Sequence, residues 1–213
     1  MTELYKKADE YMQDLCKKNP DPSHDILHVR RVVSASQKIA KEEKADLEVV
    51  TLAAYLHDCE YVSKSSPLRS KASSLSADKA VSLLKSWGLE EATVLEKIHT
   101  AVKAHSYSAN IKATSLEAKI VQDADRLDAI GAIGTCRALV FGGLSKRPIY
   151  NEEDPFCDAR KPDDYKNTLD HFYVKLLKLY DKLNTESAKA EGLKRLNAMK
   201  VFLDELKREL LAD

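Results

Sequence analysis

The chain has no excess charge of either sign: 34 Lys and Arg balance 34 Asp and Glu over 213 residues. A neutral chain has no global field to hold a polyanion, which argues against a nucleic-acid partner. A small anion, neutralised by one metal and a few basic side chains, fits this balance. Cysteines are few, and Cys16, Cys59, Cys136 and Cys157 form no CxxC pair. Neither a zinc knuckle nor a dithiol redox motif is therefore indicated. No apolar run reaches the roughly 18 residues that would read as a membrane span. The opening segment MTELYKKADEYMQDL is charged throughout and does not read as a signal peptide. These absences point to a cytoplasmic protein with reduced thiols and no membrane partner. There is also no β-alternation of any length, no internal repeat and no low-complexity tract.

What is present is helical periodicity. Leu4, Ala8, Tyr11, Met12 and Leu15 mark one apolar face, broken by Asn19-Pro20-Asp21-Pro22-Ser23. A second helix starts near Ser23 or Asp25, with Val29, Val32, Val33 and Ile39 inward. Asp46 caps a third, LEVVTLAAYLHD, whose near-unbroken apolar content predicts the central buried helix. A polar loop over 60–73, a helix over 74–87 closed by Gly88, and a helix over 90–104 follow. After a polar connection at 106–114, the run from Ser115 through Phe141 predicts one long, largely buried helix. Its Gly131 and Gly134 would admit a close neighbour. The stretch 142–162 is irregular and longer than the usual ~12–15 residues of a structureless connection, which favours a functional role such as a lid. Two amphipathic helices close the chain, at about 164–182 and 186–211. The expected fold is all-α, a single domain over 1–213.

Two placements of acid stand out. His57-Asp58 ends a helix of nearly pure hydrocarbon, where a charged aspartate is costly to bury unless a cation compensates it. A divalent metal takes imidazole nitrogen and carboxylate oxygen together. The alternative is that Asp58 caps the next turn and His57 packs. Asp123-Ala124-Asp125-Arg126-Leu127-Asp128 then sets three carboxylates and an arginine inside an otherwise apolar segment. Asp125 and Asp128 share a face while Asp123 points elsewhere. The bland alternative is a solvated stripe with Arg126 as ion-pair partner.

His24-Asp25-Ile26-Leu27-His28-Val29-Arg30-Arg31-Val32, Leu56-His57-Asp58 and Ala124-Asp125-Arg126-Leu127 together resemble the HD-domain metal-dependent phosphohydrolases. The order matches over residues 23–134. The similarity extends to the small stand-alone bacterial HD hydrolases of nucleotide pyrophosphohydrolase type. These carry a tail similar to Gly142-Gly143, Arg147-Pro148-Ile149-Tyr150, Asp154-Pro155-Phe156 and Asp170-His171-Phe172-Tyr173. The resemblance implies an all-helical bundle and one divalent ion (Mn, Mg, Fe, Co or Ni) held by His28, His57, Asp58 and Asp125. His24 falls on the non-ligand position of the first motif, and Asp123 and Asp128 are rivals of Asp125. Where some members carry an acid three residues after the paired Asp, this chain has Tyr61, with Glu60 beside it.

The chemistry implied is hydrolysis of a phosphoester or phosphoanhydride, with a small phosphorylated substrate, a nucleotide, as partner. Two imidazoles and two carboxylates leave open positions on an octahedral ion, which acidifies a water and polarises a phosphoryl oxygen. Asp58, His105 and Glu60 are the candidate catalytic groups, His105 to donate to a phosphate oxygen or protonate the leaving group. Arg126, Asp128, Lys146 and Arg147 are candidates for holding substrate, with Tyr150 to stack on a base. Two other readings stay open. His99 and His105 lie where dinuclear HD phosphodiesterases or oxygenases place extra ligands, and a metal-containing nucleotide-binding regulator would turn over slowly or not at all.

Overall fold

The computed structural model describes residues 2–21, 25–62 and 66–210, and every regular element among them is helical. In chain order these are α1 (Thr2–Lys18), α2 (Ile26–Glu42), α3 (Leu47–Leu56), α4 (Ala72–Ser86), α5 (Ala92–Ala104), α6 (Leu116–Asp128), α7 (Gly131–Leu144), α8 (Asp170–Val174) and α9 (Glu186–Leu210), with three short 3₁₀ turns. The chain divides into two compact units, Met1–Arg126 with Asn184–Ala188, and Leu127–Leu183 with Lys189–Asp213. Among the described residues no single helix is long and apolar enough to cross a membrane.

In the first unit α3 is the central element, packed against α1, α2, α4 and α5. Val49, Val50, Leu52, Ala53, Ala54 and Leu56 are all buried on it. Burying a Val or Leu side chain contributes about 1.5–3 kcal/mol each, so α3 anchors everything its C-terminal end carries. The helix starts agree with the capping residues. Asp25 accepts from the His28 amide at 2.8 Å and opens α2, and Asp46 accepts from the Glu48 and Val49 amides at 3.2 Å and opens α3. Arg30 grips Asp9 with two bonds of 2.9 and 2.7 Å, linking α2 to α1. Gly88 has the left-handed φ of +94° expected after α4.

The structure departs from the sequence reading in three places. The segment expected as one long helix is two, α6 and α7, because Gly131 opens α7 at φ +78°, a value that cannot continue a right-handed helix. Gly131 does admit a close neighbour: a Cβ there would meet Arg195 Cβ at 3.0 Å. The helix expected over 164–182 shrinks to α8 and two 3₁₀ turns. The Thr168 and Leu169 amides donate to the Pro148 and Ile149 carbonyls, at 3.0 and 2.7 Å, instead of to residues four back. The Asp170 carboxylate takes Arg160 through bonds of 2.5 and 2.7 Å and the Asp163 amide at 2.6 Å, which folds the preceding segment back on itself. The expected irregular stretch begins only after Leu144, since 142–144 complete α7.

Candidate metal centre

Five of the groups singled out in the sequence, His28, His57, Asp58, His105 and Asp125, converge in the first unit from four helices. His28 lies in the first turns of α2 and is 1% exposed. His57 is the C-terminal cap of α3, fully buried, and its Nδ1–H donates to the Ala54 carbonyl at 2.7 Å. That bond leaves the lone pair of His57 on Nε2, which faces His28 Nε2 at 3.3 Å. Asp125, in the last turn of α6, places Oδ1 3.6 Å from His28 Nε2. One donor atom from each of His28, His57 and Asp125 lies within 4.8 Å of the other two.

Asp58 borders this group: Oδ2 is 3.6 Å from His57 Nε2 and Oδ1 is 3.3 Å from His105 Nε2. Its side chain is 39% exposed, so the burial expected of Asp58 falls on its neighbour His57 instead. His105 caps α5 as His57 caps α3, with Nδ1–H donating to the Val102 carbonyl at 2.7 Å. Two helix C-termini and the end of a third therefore face one place, and the negative end of each macrodipole favours a cation there.

The titrations follow from these contacts. Burial pushes His57 down to about 4, against the pull of Asp58 and with that of His105 and His28. Burial also acts downward on His105, but the bond to Asp58 and the fields of Asp58 and Asp125 outweigh it and raise this imidazole. With Nδ1 on a carbonyl and Nε2 on a carboxylate, His105 satisfies both only as the imidazolium. Burial would raise Asp125, yet His28, His57 and His105 together hold it below the usual carboxylate range.

The residues fit a divalent ion. His28 and His57 turn two imidazole nitrogens toward one point beside a carboxylate. A single proton between those nitrogens, or a single cation, is what such a pair can share.

Other sequence candidates sit elsewhere. Asp123 is wholly buried and accepts from the amides of Asn184 and Thr185, the Asn184 side chain and the Thr185 hydroxyl, all within 3.1 Å. It anchors the start of α9 and is a structural acid. His99 pairs with Asp78 at 3.0 Å on α4. Arg126 is half-buried, and burial lowers it while Asp123 and Asp125 pull it back up. Glu60 is half-buried, its amide 3.3 Å from the Ser76 hydroxyl. His24 lies outside the described residues.

In the second unit, Asp128 is paired with Arg137 at 2.8 Å. Lys146 is exposed at a left-handed turn, φ +53°, and Tyr150 is half-buried. Arg147 donates to the Asp164 carbonyl and lies over the Phe141 ring at 5.1 Å. Gln122, Asn184 and Thr185 were not singled out by sequence. Thr185 had a legible signal as a capping residue before α9, but nothing local marks a buried glutamine as a clamp.

A family model described as HD domain matches residues 26–130. The chain is 33% identical over 190 residues to the uncharacterized protein YpgQ of Bacillus subtilis (strain 168), covering 88% of this chain and 84% of that one. The crystal structure of Bacillus subtilis YpgQ in complex with ADP superposes with a TM-score of 0.78 at 28% identity, over 99% of this chain and 97% of that one. An HD-superfamily hydrolase from Bacillus thuringiensis superposes with a TM-score of 0.75 at 32% identity, over 100% and 99%.

Proposed function

The chain belongs to the HD superfamily, and on that premise we propose that it is a metal-dependent phosphohydrolase acting on a phosphoester or phosphoanhydride of a nucleotide. The observation that carries this reading is the meeting of His28 and His57 Nε2 at 3.3 Å beside the Asp125 carboxylate. His28, His57, Asp58 and Asp125 would hold the ion, Mn²⁺ being one suitable choice among octahedral divalent metals. When bound, such an ion supplies Lewis-acid polarisation of a phosphoryl oxygen and a lowered pKa for a coordinated water.

The remaining chemistry belongs to the side chains. Attack on phosphorus builds negative charge on the equatorial oxygens, and stabilising it requires fixed cations. His105, with Nε2 facing Asp58 at 3.3 Å, would supply one beside the cluster when protonated and would then hold a proton that a leaving oxygen can take. Arg126, next to Asp125 in sequence, supplies a second. Asp58 orients His105 on one oxygen and faces His57 with the other. ADP in the crystal structure of YpgQ supports a nucleotide as the ligand class.

The test is a panel of nucleoside mono-, di- and triphosphates with Mn²⁺, Mg²⁺ and Co²⁺, scored for phosphate and pyrophosphate release. Turnover that vanishes on chelation and in Asp125→Ala supports the reading. Tight nucleotide binding without turnover would turn it into the regulator alternative. His105 near Asp58 is what keeps a dinuclear arrangement in view, and two ions per chain by metal analysis would establish it; His99, held by Asp78, does not add to that case.

A further inference from the structure

Gln122 is not used by the proposed reaction, yet both N–H donors and the oxygen of its buried amide are engaged. Nε2 donates to the Ala104 carbonyl at 2.6 Å and to the Ile111 carbonyl at 3.2 Å, and Oε1 accepts from Asn184 Nδ2 at 3.0 Å. The orientation of the amide follows from its partners. Both carbonyls can only accept, so the NH₂ must face them. Asn184 Nδ2 also donates to Asp123 Oδ1 at 2.7 Å, which identifies it as the nitrogen and makes the atom facing it Oε1.

One side chain therefore holds both ends of the segment 104–111, and that segment begins with the site. Ala104 is the last residue of α5 and His105 is its cap. The bond from His105 Nδ1 to Val102 fixes the ring to α5 alone. Gln122 ties the α5 end to α6 directly, through its bonds to the Ala104 and Ile111 carbonyls. Gln122 and Asp125 are three apart on α6 and share a face, so the same helix that clamps the His105 segment carries the acid facing His28.

We propose that Gln122 is a positioning residue: its amide clamps segment 104–111 so that His105 Nε2 meets Asp58 while Asp125 projects toward His28. The consequence for turnover rests on the hydrolase reading above; the consequence for the His105 ring does not. A loose clamp leaves the metal donors in place and lets one imidazole wander, and a misplacement of about 1 Å can cost about 100-fold in rate.

The experiment uses the full chain with Gln122→Met, Gln122→Glu and Asn184→Ser. Methionine removes every bond at similar volume. Glutamate keeps the acceptor for Asn184 but turns an oxygen on the two carbonyls. Asn184→Ser leaves the glutamine and removes the donor to its oxygen together with the side-chain bond to Asp123, which keeps the test usable if either Gln122 variant fails to fold. The first readout is the set of histidine ring N–H signals in ¹⁵N-labelled protein, assigned with His105→Ala. The His105 signals shift or broaden in each folded variant while the His57 Nδ1–H signal stays; unchanged His105 signals overturn the proposal. The second is turnover on the nucleotide panel with Mn²⁺. We expect kcat to fall about 10–100-fold with KM within about 2-fold, and Gln122→Met to cause no further loss in a His105→Ala background. Losses that add in that double variant overturn it. If the wild-type chain hydrolyses nothing, the hydrolase reading falls and the ring signals still decide the positioning.

Discussion

His28 and His57 stand 29 positions apart in the chain, yet their Nε2 atoms lie 3.3 Å from each other in a site closed to water on both rings. A shared proton satisfies that pair in the absence of a cation, so cation and proton compete for one place. Metal affinity should therefore fall as pH is lowered, with proton release on binding. His28→Ala and His57→Ala should each lose the ion during gel filtration, whereas wild-type protein keeps about one per chain. Elemental analysis of the three proteins checks this, and retention by either variant would place the ion elsewhere.

Asp123 and Asp125 should separate stability from metal binding, although they are two residues apart. Asp123→Ala strands the Asn184 and Thr185 donors in a buried place and should cost about 3–5 kcal/mol by urea denaturation. Asp125→Ala removes an acid a quarter exposed and should change the stability of metal-free protein by less than about 1 kcal/mol. Its effect is on the ion: partners of ligands cost about 10–100-fold in affinity, and a ligand itself should cost at least as much. Equal destabilisation by the two changes would contradict the division of roles.

The pH dependence of the metal-free protein should carry the signature of His57. Its folded pKa is depressed by burial to about 4, so between there and an unfolded value near 6.5 the unfolded chain binds more protons. Stability is then full above about 6.5 and lost as pH falls toward about 4, by about 3 kcal/mol in all. His105 acts in a separate window, because its raised value gives stability that is present below about 6.5 and lost as pH rises through its folded pKa. Urea midpoints from pH 4 to 7 for wild type and His57→Leu test this. The variant should flatten the slope below 6.5, and an unchanged slope would remove His57 as its source.

The parts legible in the sequence were those set by local chemistry. Asp25 and Asp46 as caps, the apolar α3 and Gly88 as a terminator all follow from side chain and backbone within a few residues. His57-Asp58 was legible as an anomaly, a polar pair on a hydrocarbon helix, though burial falls on His57 and not on Asp58. The break at Gly131 was missed because an apolar period continues across it, and periodicity does not report a left-handed φ. Asp123 was separable from Asp125 only by knowing that Asn184 and Thr185, some sixty residues on, return to bind it. The helix expected over 164–182 failed for a like reason, since the Thr168 and Leu169 amides are claimed by the Pro148 and Ile149 carbonyls.

That folded-back segment makes its own prediction through Arg160 and Asp170. Asp170 is fully buried, and burial alone would raise its carboxyl, but the Arg160 bonds and the Asp163 amide outweigh this and hold it low. Arg160→Ala leaves the carboxylate in place without its cation and should cost about 3–5 kcal/mol. At this chain length each kcal/mol is worth roughly 2–4 °C, so the loss should be plain in a thermal melt. Arg160→Lys should recover only part of it, because a point charge cannot reproduce the two parallel bonds of 2.5 and 2.7 Å. The depressed folded pKa gives stability that is present above the unfolded value of about 3.9 and lost as pH falls through the folded one. Without Arg160 the buried carboxyl is raised, so the gap between wild type and Arg160→Ala should narrow steadily as pH falls from neutral toward about 4 and close below it. A gap that persists undiminished in acid would mean that Arg160 stabilises the segment by packing and not by its pair with Asp170.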